Sequence, residues 1–122
     1  MQLLSSQDVL YIHEQVIGAN ELQGLAANKS LDAVLHRVEN RIHFGMIEDP
    51  FDLAAAYAVF IAVGHVFNDA NKRTAYNAMT TCLELNGIDL VFDTEQIGQR
   101  IIEVAQGVID EVEFARYLRS LQ

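Results

Sequence analysis

Residues 49–75 read DPFDLAAAYAVFIAVGHVFNDANKRTA, and how this stretch divides decides the fold. Asp49 before Pro50 is a helix start, a carboxylate to cap free N–H groups followed by a residue that needs no hydrogen bond. From Pro50 to Val63 the chain is apolar nearly all round, which predicts a helix buried on every side. Gly64 is expected to end it. A further helix should begin near Asn71 and run to Asn86, with Gly87 as its stop. The residues between then form a short turn from a buried helix to the N-terminal end of the next.

The flanks are helical as well. Ser5 can cap a first helix reaching about Ile17, with Val9, Ile12, Val16 and Ile17 on one side. A loop carrying Gly18, Asn20, Gly24 and Asn28 follows. Ser30 then caps a second helix whose apolar positions Leu31, Val34, Leu35, Val38 and Ile42 keep helical spacing. Asp93 with Gln96, and Asp110 with Glu113, have the spacing of capping boxes and open two last helices, separated at Gly107. Ile88 to Phe92 is the only strand-like piece, an extended connector or a small edge element. The expectation is an all-α bundle of about six helices around a central buried helix, a single domain over residues 1–122, with the turn after the buried helix carrying the chemistry.

Composition narrows the function. The chain is 51% apolar and 20% charged, the balance of a globular protein. Its formal charge of −9 with 8 basic residues argues against nucleic-acid binding, which needs clustered Lys and Arg. No apolar run reaches the roughly 18 residues of a membrane span. The start Met1-Gln2-Leu3-Leu4-Ser5 has no basic region or cleavage site, so a cytoplasmic location is expected. Cys82, the sole cysteine, reads as a small core residue in a reducing compartment.

Within the turn, residue types converge on phosphate chemistry. The first N–H groups of a helix lack intrahelical partners and sit at its positive end, so they bind phosphate with backbone alone. Small Ala70 leaves room for close approach, and Lys72 and Arg73 add positive charge. Asp69 lies just ahead, placed to support Mg²⁺ against phosphate oxygens. His65 at the other lip can accept a proton near neutral pH. Phe67 alternates with His65 and should anchor the turn in the core. Each residue also has a plainer use: a structural histidine, a helix-capping Asp69, a solvated Lys72–Arg73 pair, a turn-forming Asn71. Cations are disfavoured at a helix N-terminus, which weakens the solvated-pair reading. His36 and His43, seven residues apart, lack zinc-site spacing, and His13 has no partner in sequence.

His65-Val66-Phe67-Asn68-Asp69-Ala70-Asn71-Lys72-Arg73 resembles the active-site motif of the Fic/Doc family, His-x-Phe-x-Asp/Glu-Gly/Ala-Asn-Gly/Lys-Arg, with every defining position filled. Leu4-Ser5, Arg37-Val38-Glu39-Asn40-Arg41, Thr74-Ala75 and Asn86-Gly87 extend the resemblance toward the death-on-curing toxin branch. The resemblance implies His65 as catalytic base and Asp69 as catalytic carboxylate and Mg²⁺ ligand. It implies Asn68, Ala70, Asn71, Lys72 and Arg73 as nucleotide and phosphate contacts; Asn77, one turn beyond Arg73, is a further contact by helical spacing. Three departures from the adenylylating branch stand out: Val66 where that branch has Pro, Lys72 where it has Gly, and Tyr76 where it has a further Arg. They imply an inverted nucleotide, with the γ-phosphate of ATP passed to a threonine of elongation factor Tu and translation arrested.

The family's internal inhibitory pattern, Ser/Thr-x-x-x-Glu-Gly/Asn, is not matched, because Leu35 stands where the hydroxyl belongs ahead of Glu39-Asn40. The resemblance therefore implies silencing from outside, by an antitoxin whose disordered segment folds on binding. Two other functions stay open at this stage: a nucleotidyl (AMP) transferase acting on a protein hydroxyl, and a catalytically inactive anion-binding interaction module.

Overall fold

The structure, a computed structural model, describes residues 1–122 as six α-helices with no β-strand. These are α1 (Ser6–Val16), α2 (Leu31–His43), α3 (Pro50–Gly64), α4 (Asn71–Leu85), α5 (Thr94–Ala105) and α6 (Glu111–Ser120). The all-α architecture is the one the periodicity predicts. None of the helices is long and apolar enough to cross a membrane.

The helix starts follow from local chemistry. Ser5 Oγ accepts from the Asp8 N–H at 3.1 Å while the Asp8 carboxylate accepts from the Ser5 N–H at 2.8 Å, a reciprocal cap. Ser30, Asp49, Asp93 and Asp110 each accept from the N–H three residues on, at 2.9–3.1 Å. These are single-armed caps: the return arm that the Asp93 and Asp110 spacings allow is formed only at Ser5.

α3 is the centre. In it 11 of 15 residues are buried, and it packs against α2, α4, α5 and α6, while α1 lies on α4 and α2. Ala54, Ala55, Ala56, Ala58 and Ala62 have no exposed surface; their small side chains let neighbouring helices approach closely. Leu53, Phe60 and Ile61 supply bulk, each stabilising by about 1.5–3 kcal/mol when taken from water. The N-terminal segment is fastened to this helix by Tyr57, whose hydroxyl accepts from the Leu4 N–H at 2.8 Å and donates to the Leu4 carbonyl at 3.3 Å. Burial pushes the Tyr57 phenol up to about 12 and the Cys82 thiol up to about 12, so both are neutral packing groups near pH 7.

Gly64 ends α3 as expected, as its last helical residue, and the left-handed position falls on His65, with φ 48° and ψ 42°. Gly64 also marks a close approach, because a Cβ there would lie 3.0 Å from Val34 Cγ2 on α2. Of the two forms open to Ile88–Phe92, the connector is the one found, since no neighbouring strand offers a ladder.

Replacing Tyr57 with Phe leaves the Leu4 N–H and C=O without their partner inside the fold. Urea denaturation should show a loss of about 1–3 kcal/mol; an unchanged midpoint would mean Leu4 is hydrated instead.

Candidate active site

The turn between α3 and α4 is bracketed by two left-handed residues, His65 (φ 48°) and Ala70 (φ 66°). Neither is glycine, and such a conformation costs an L-residue about 1–2 kcal/mol. The intervening segment is held from several directions. Val66 and Phe67 are buried. The Phe67 ring stacks on His13 of α1, with centroids 3.8 Å apart and planes 6° from parallel. Asn71 bridges the turn: its Oδ1 accepts from the Phe67 N–H at 3.0 Å and its Nδ2 donates to the Phe67 carbonyl at 2.9 Å. The loop after α1 lies along the outside. The Ala26 N–H donates to Val66, the Asn68 N–H donates to Gly24, and Leu25 and Phe67 form an isolated antiparallel bridge. Asn68 Nδ2 donates to the carbonyls of Gln23 and Leu25 at 2.9 and 3.2 Å.

α4 begins without a cap. Its N-cap position is Ala70, which has no side chain to accept from the first turn. The Asp69 carboxylate does not cap α4 either; it turns to the α1–α2 loop, where Oδ2 accepts from the Leu22 N–H at 2.8 Å. The N–H groups of Ala70, Asn71, Lys72 and Arg73 donate to no acceptor in the protein. An uncapped helix end of this kind attracts anions through its partial positive charge and its free donors.

The side chains named from the sequence divide into three groups. His65 is exposed, with no hydrogen bond to the protein, and Lys72 is exposed, with no ion pair; both are free at the open side. Asn68 and Asn71 use their amides to brace the turn, which leaves only the Asn71 backbone N–H for an anion. Arg73 and Asn77 have other partners. Arg73 pairs with Glu21 and donates to the Val16 carbonyl at 2.9 Å, while Asn77 Nδ2 donates to the Arg73 carbonyl at 2.9 Å. Bonding to Arg73, helped by the Gly18 N–H, holds the Glu21 carboxyl below its ordinary range, and the Glu21 carboxylate raises the Arg73 guanidinium in turn. No group of three His, Cys, Asp or Glu side chains could hold a metal alone. A divalent ion would fit here as Mg²⁺ usually does, on one carboxylate, Asp69, together with phosphate oxygens.

Two residues of the site escape a reading of the motif. His13 is 3% exposed, and its Nε2 lies 2.9 Å from the Asp69 carbonyl. The only hint in the sequence is a histidine on the apolar side of α1, beside Val9 and Ile12. Glu21 carries no sequence signal; it lies in a polar loop 52 residues from Arg73.

Fold and turn together define the class: an all-helical domain in which a buried central helix hands over, through a His-x-Phe-x-Asp-Ala-Asn-Lys-Arg turn, to an uncapped helix. The chain belongs to the Fic/Doc family, since residues 3–83 match the family model described as Fic/DOC family. It is 34% identical over 122 residues to a protein of Escherichia phage P1 named "Protein kinase doc", covering 99% of this chain and 96% of that one. It is also 37% identical over 79 residues to a protein of Mycolicibacterium smegmatis (strain ATCC 700084 / mc(2)155) named "Toxin Doc", covering 62% of this chain and 60% of that one.

Because Arg73 holds the folded Glu21 carboxyl below its ordinary range, their pairing favours the folded loop fully above the unfolded pKa and is lost as pH falls through the lowered one. Carboxyl ¹³C NMR should place the Glu21 titration below that of an unstructured glutamate, and Arg73→Ala should move it upward. A titration that ignores Arg73→Ala would show the pair to be open in solution.

Proposed function

We propose that this chain is the toxin of a toxin–antitoxin pair, a protein-modifying phosphotransferase that passes the γ-phosphate of ATP to a threonine hydroxyl of a translation factor, elongation factor Tu being the candidate. The observation that carries the reading is that one turn presents an exposed, unpaired imidazole at His65 and, five residues on, the uncapped N–H row of α4. Similarity over nearly the whole chain to the phage protein named as a kinase, and the second relative's name as a toxin, support it.

In this scheme the N–H groups of Ala70, Asn71, Lys72 and Arg73 and the Lys72 ammonium bind the phosphates and steady the charge that spreads over the transferred group. His65 accepts the proton of the threonine hydroxyl as its oxygen forms a bond to the γ-phosphorus. The bond from that phosphorus to the β,γ-bridging oxygen breaks, and ADP leaves with the electron pair. Asp69 would hold Mg²⁺, which when bound would supply charge neutralisation at the phosphates. Phe67, locked in the core, keeps the two lips of the turn at a fixed separation, and the replacement of a further arginine by Tyr76 favours the inverted nucleotide.

The antitoxin part of the reading is supported by a cleft of about 320 Å³ between α4 and α5. Its floor is apolar, from Tyr76, Phe92, Ile97 and Ile101, and Lys72 and Arg73 stand at its edge. An amphipathic segment that folds on docking, with apolar anchors and acidic residues toward the two cations, suits this chemistry. An occupant there would also draw on the cations that the phosphates need. Action on a translation factor places the work in the cytoplasm.

Purified chain should be given elongation factor Tu with ATP labelled at either the α- or the γ-phosphate. The expected result is γ label on a threonine and no α label. Transfer of the α label instead would replace the reading by nucleotidyl transfer; ADP binding without transfer of either label would replace it by an inactive anion-binding module. His65→Ala should reduce transfer by about 10³-fold, the scale of a lost general base, with ADP affinity retained.

A further inference from the structure

Buried polar side chains are few, and His13 is one that the transfer scheme leaves without a part. A histidine on the apolar side of a helix is often only a satisfied core residue. Here, however, the hydrogen bond does nothing for α1 itself, whose packing on Phe67 an apolar ring would serve equally. The bond goes to the peptide that links Asp69 to Ala70.

Resting on the phosphate-transfer reading above, we infer that His13 is a positioning residue for the reaction, which through the Asp69–Ala70 peptide fixes the Asp69 carboxylate and aims the Ala70 N–H at incoming phosphate. The acceptor is a carbonyl oxygen at 2.9 Å, so the imidazole must carry its proton on Nε2. Parallel stacking on the buried Phe67 ring, 3.8 Å away, fixes the plane in which that N–H points. In a trans peptide the C=O and the following N–H point in opposite directions. Drawing the Asp69 carbonyl toward α1 therefore turns the Ala70 N–H away from α1, and that N–H has no acceptor in the protein.

The neighbouring constraints show why this peptide needs holding. Ala70 is left-handed, with φ 66°. Its own carbonyl is secured by Thr74, which donates from Oγ1 at 2.7 Å and from its N–H at 2.9 Å. The Asp69 carboxylate is secured by the Leu22 N–H. Only the peptide between these fastenings can rotate, by opposed changes at ψ of Asp69 and φ of Ala70, and His13 is the group that stops it. Released, the peptide would swing a donor out of the row while the rest of the turn kept its place.

Two variants separate the donor from the ring. His13→Phe keeps a flat ring for Phe67 and loses the N–H, whereas His13→Gln keeps a donor and loses the ring. With folding checked by circular dichroism, His13→Phe should lower kcat at least about tenfold and leave the KM for the protein target within about twofold, the pattern of misaimed rather than missing groups. His13→Gln should restore most of kcat. The rate is scored on whichever ATP label moves, so a failure of the γ-phosphate reading does not decide this one. In ¹⁵N-labelled chain without nucleotide, the Ala70 amide should be displaced by His13→Phe and much less by His13→Gln; this readout stands even if no label moves. Ring ¹⁵N shifts of the unmutated chain should report the Nε2–H tautomer, which serves as the test if His13→Phe does not fold. An Nδ1–H tautomer, an unmoved Ala70 amide in His13→Phe, or a His13→Gln as impaired as His13→Phe would each overturn the inference.

Discussion

Phe67 is the point on which the site is built, because it is the one residue of the turn gripped by three separate parts of the chain. The core takes its side chain, α1 contributes the parallel face of His13, and Asn71 clasps its N–H and C=O from the first turn of α4. With Phe67 fixed, the turn has only a few residues on either side in which to leave α3 and enter α4. It does so by placing His65 and Ala70 in the left-handed region. The conformational cost is borne by the burial of an aromatic ring and by neighbouring hydrogen bonds, and the result is a backbone with little freedom. An imidazole and a donor row separated by a rigid segment suit the proposed transfer, since small misplacements of reacting groups are expensive.

The same grip explains why bracing and binding are divided among the polar residues. A flexible turn would need its asparagines to solvate their own backbone; here Asn68 and Asn71 are committed to neighbouring segments, and the anion-binding capacity moves to the main chain. Ala70 at the N-cap position is consistent with that division. A Ser or Asp there would satisfy an N–H of the first turn and remove a donor from the row. The helix forgoes the stability of a cap, and the open end is what remains for an anion.

Much of this was legible in the sequence where the signal is local. Asp49-Pro50 marks the start of α3, the Ser and Asp caps mark the others, and an apolar run without a polar side marks the central helix. The anchoring of Phe67 follows from alternation with His65. Contacts across the fold were not legible. The partners of Asp69, His13 and Leu22, lie 56 and 47 residues away, and nothing in a loop such as Gly18-Ala19-Asn20-Glu21 announces which charge it will meet. The place of the left-handed residue has the same origin: Gly64 looks like the stop signal, yet α3 carries through it to a close approach with Val34 on another helix, and the left-handed conformation falls one residue later, on His65.

The proposed function asks a chain of net charge −9 to accept a polyanion, and distance reconciles most of the conflict. Exposed charges farther away than about 8 Å are largely screened at physiological salt, so the anion responds to its immediate surroundings rather than to the whole surface. Those surroundings are the helix end, Lys72 and Arg73, with Asp69 the nearby negative group that a divalent ion would neutralise. Arg73 is already engaged by Glu21, but that pair is half exposed, and exposed ion pairs are weak because water solvates both partners well. A phosphate carries more charge than a carboxylate and, placed against the same helix end as proposed, would be the stronger competitor for the guanidinium. Glu21 thus keeps Arg73 ordered beside the turn while leaving it open to exchange, which suits the proposed phosphate contact.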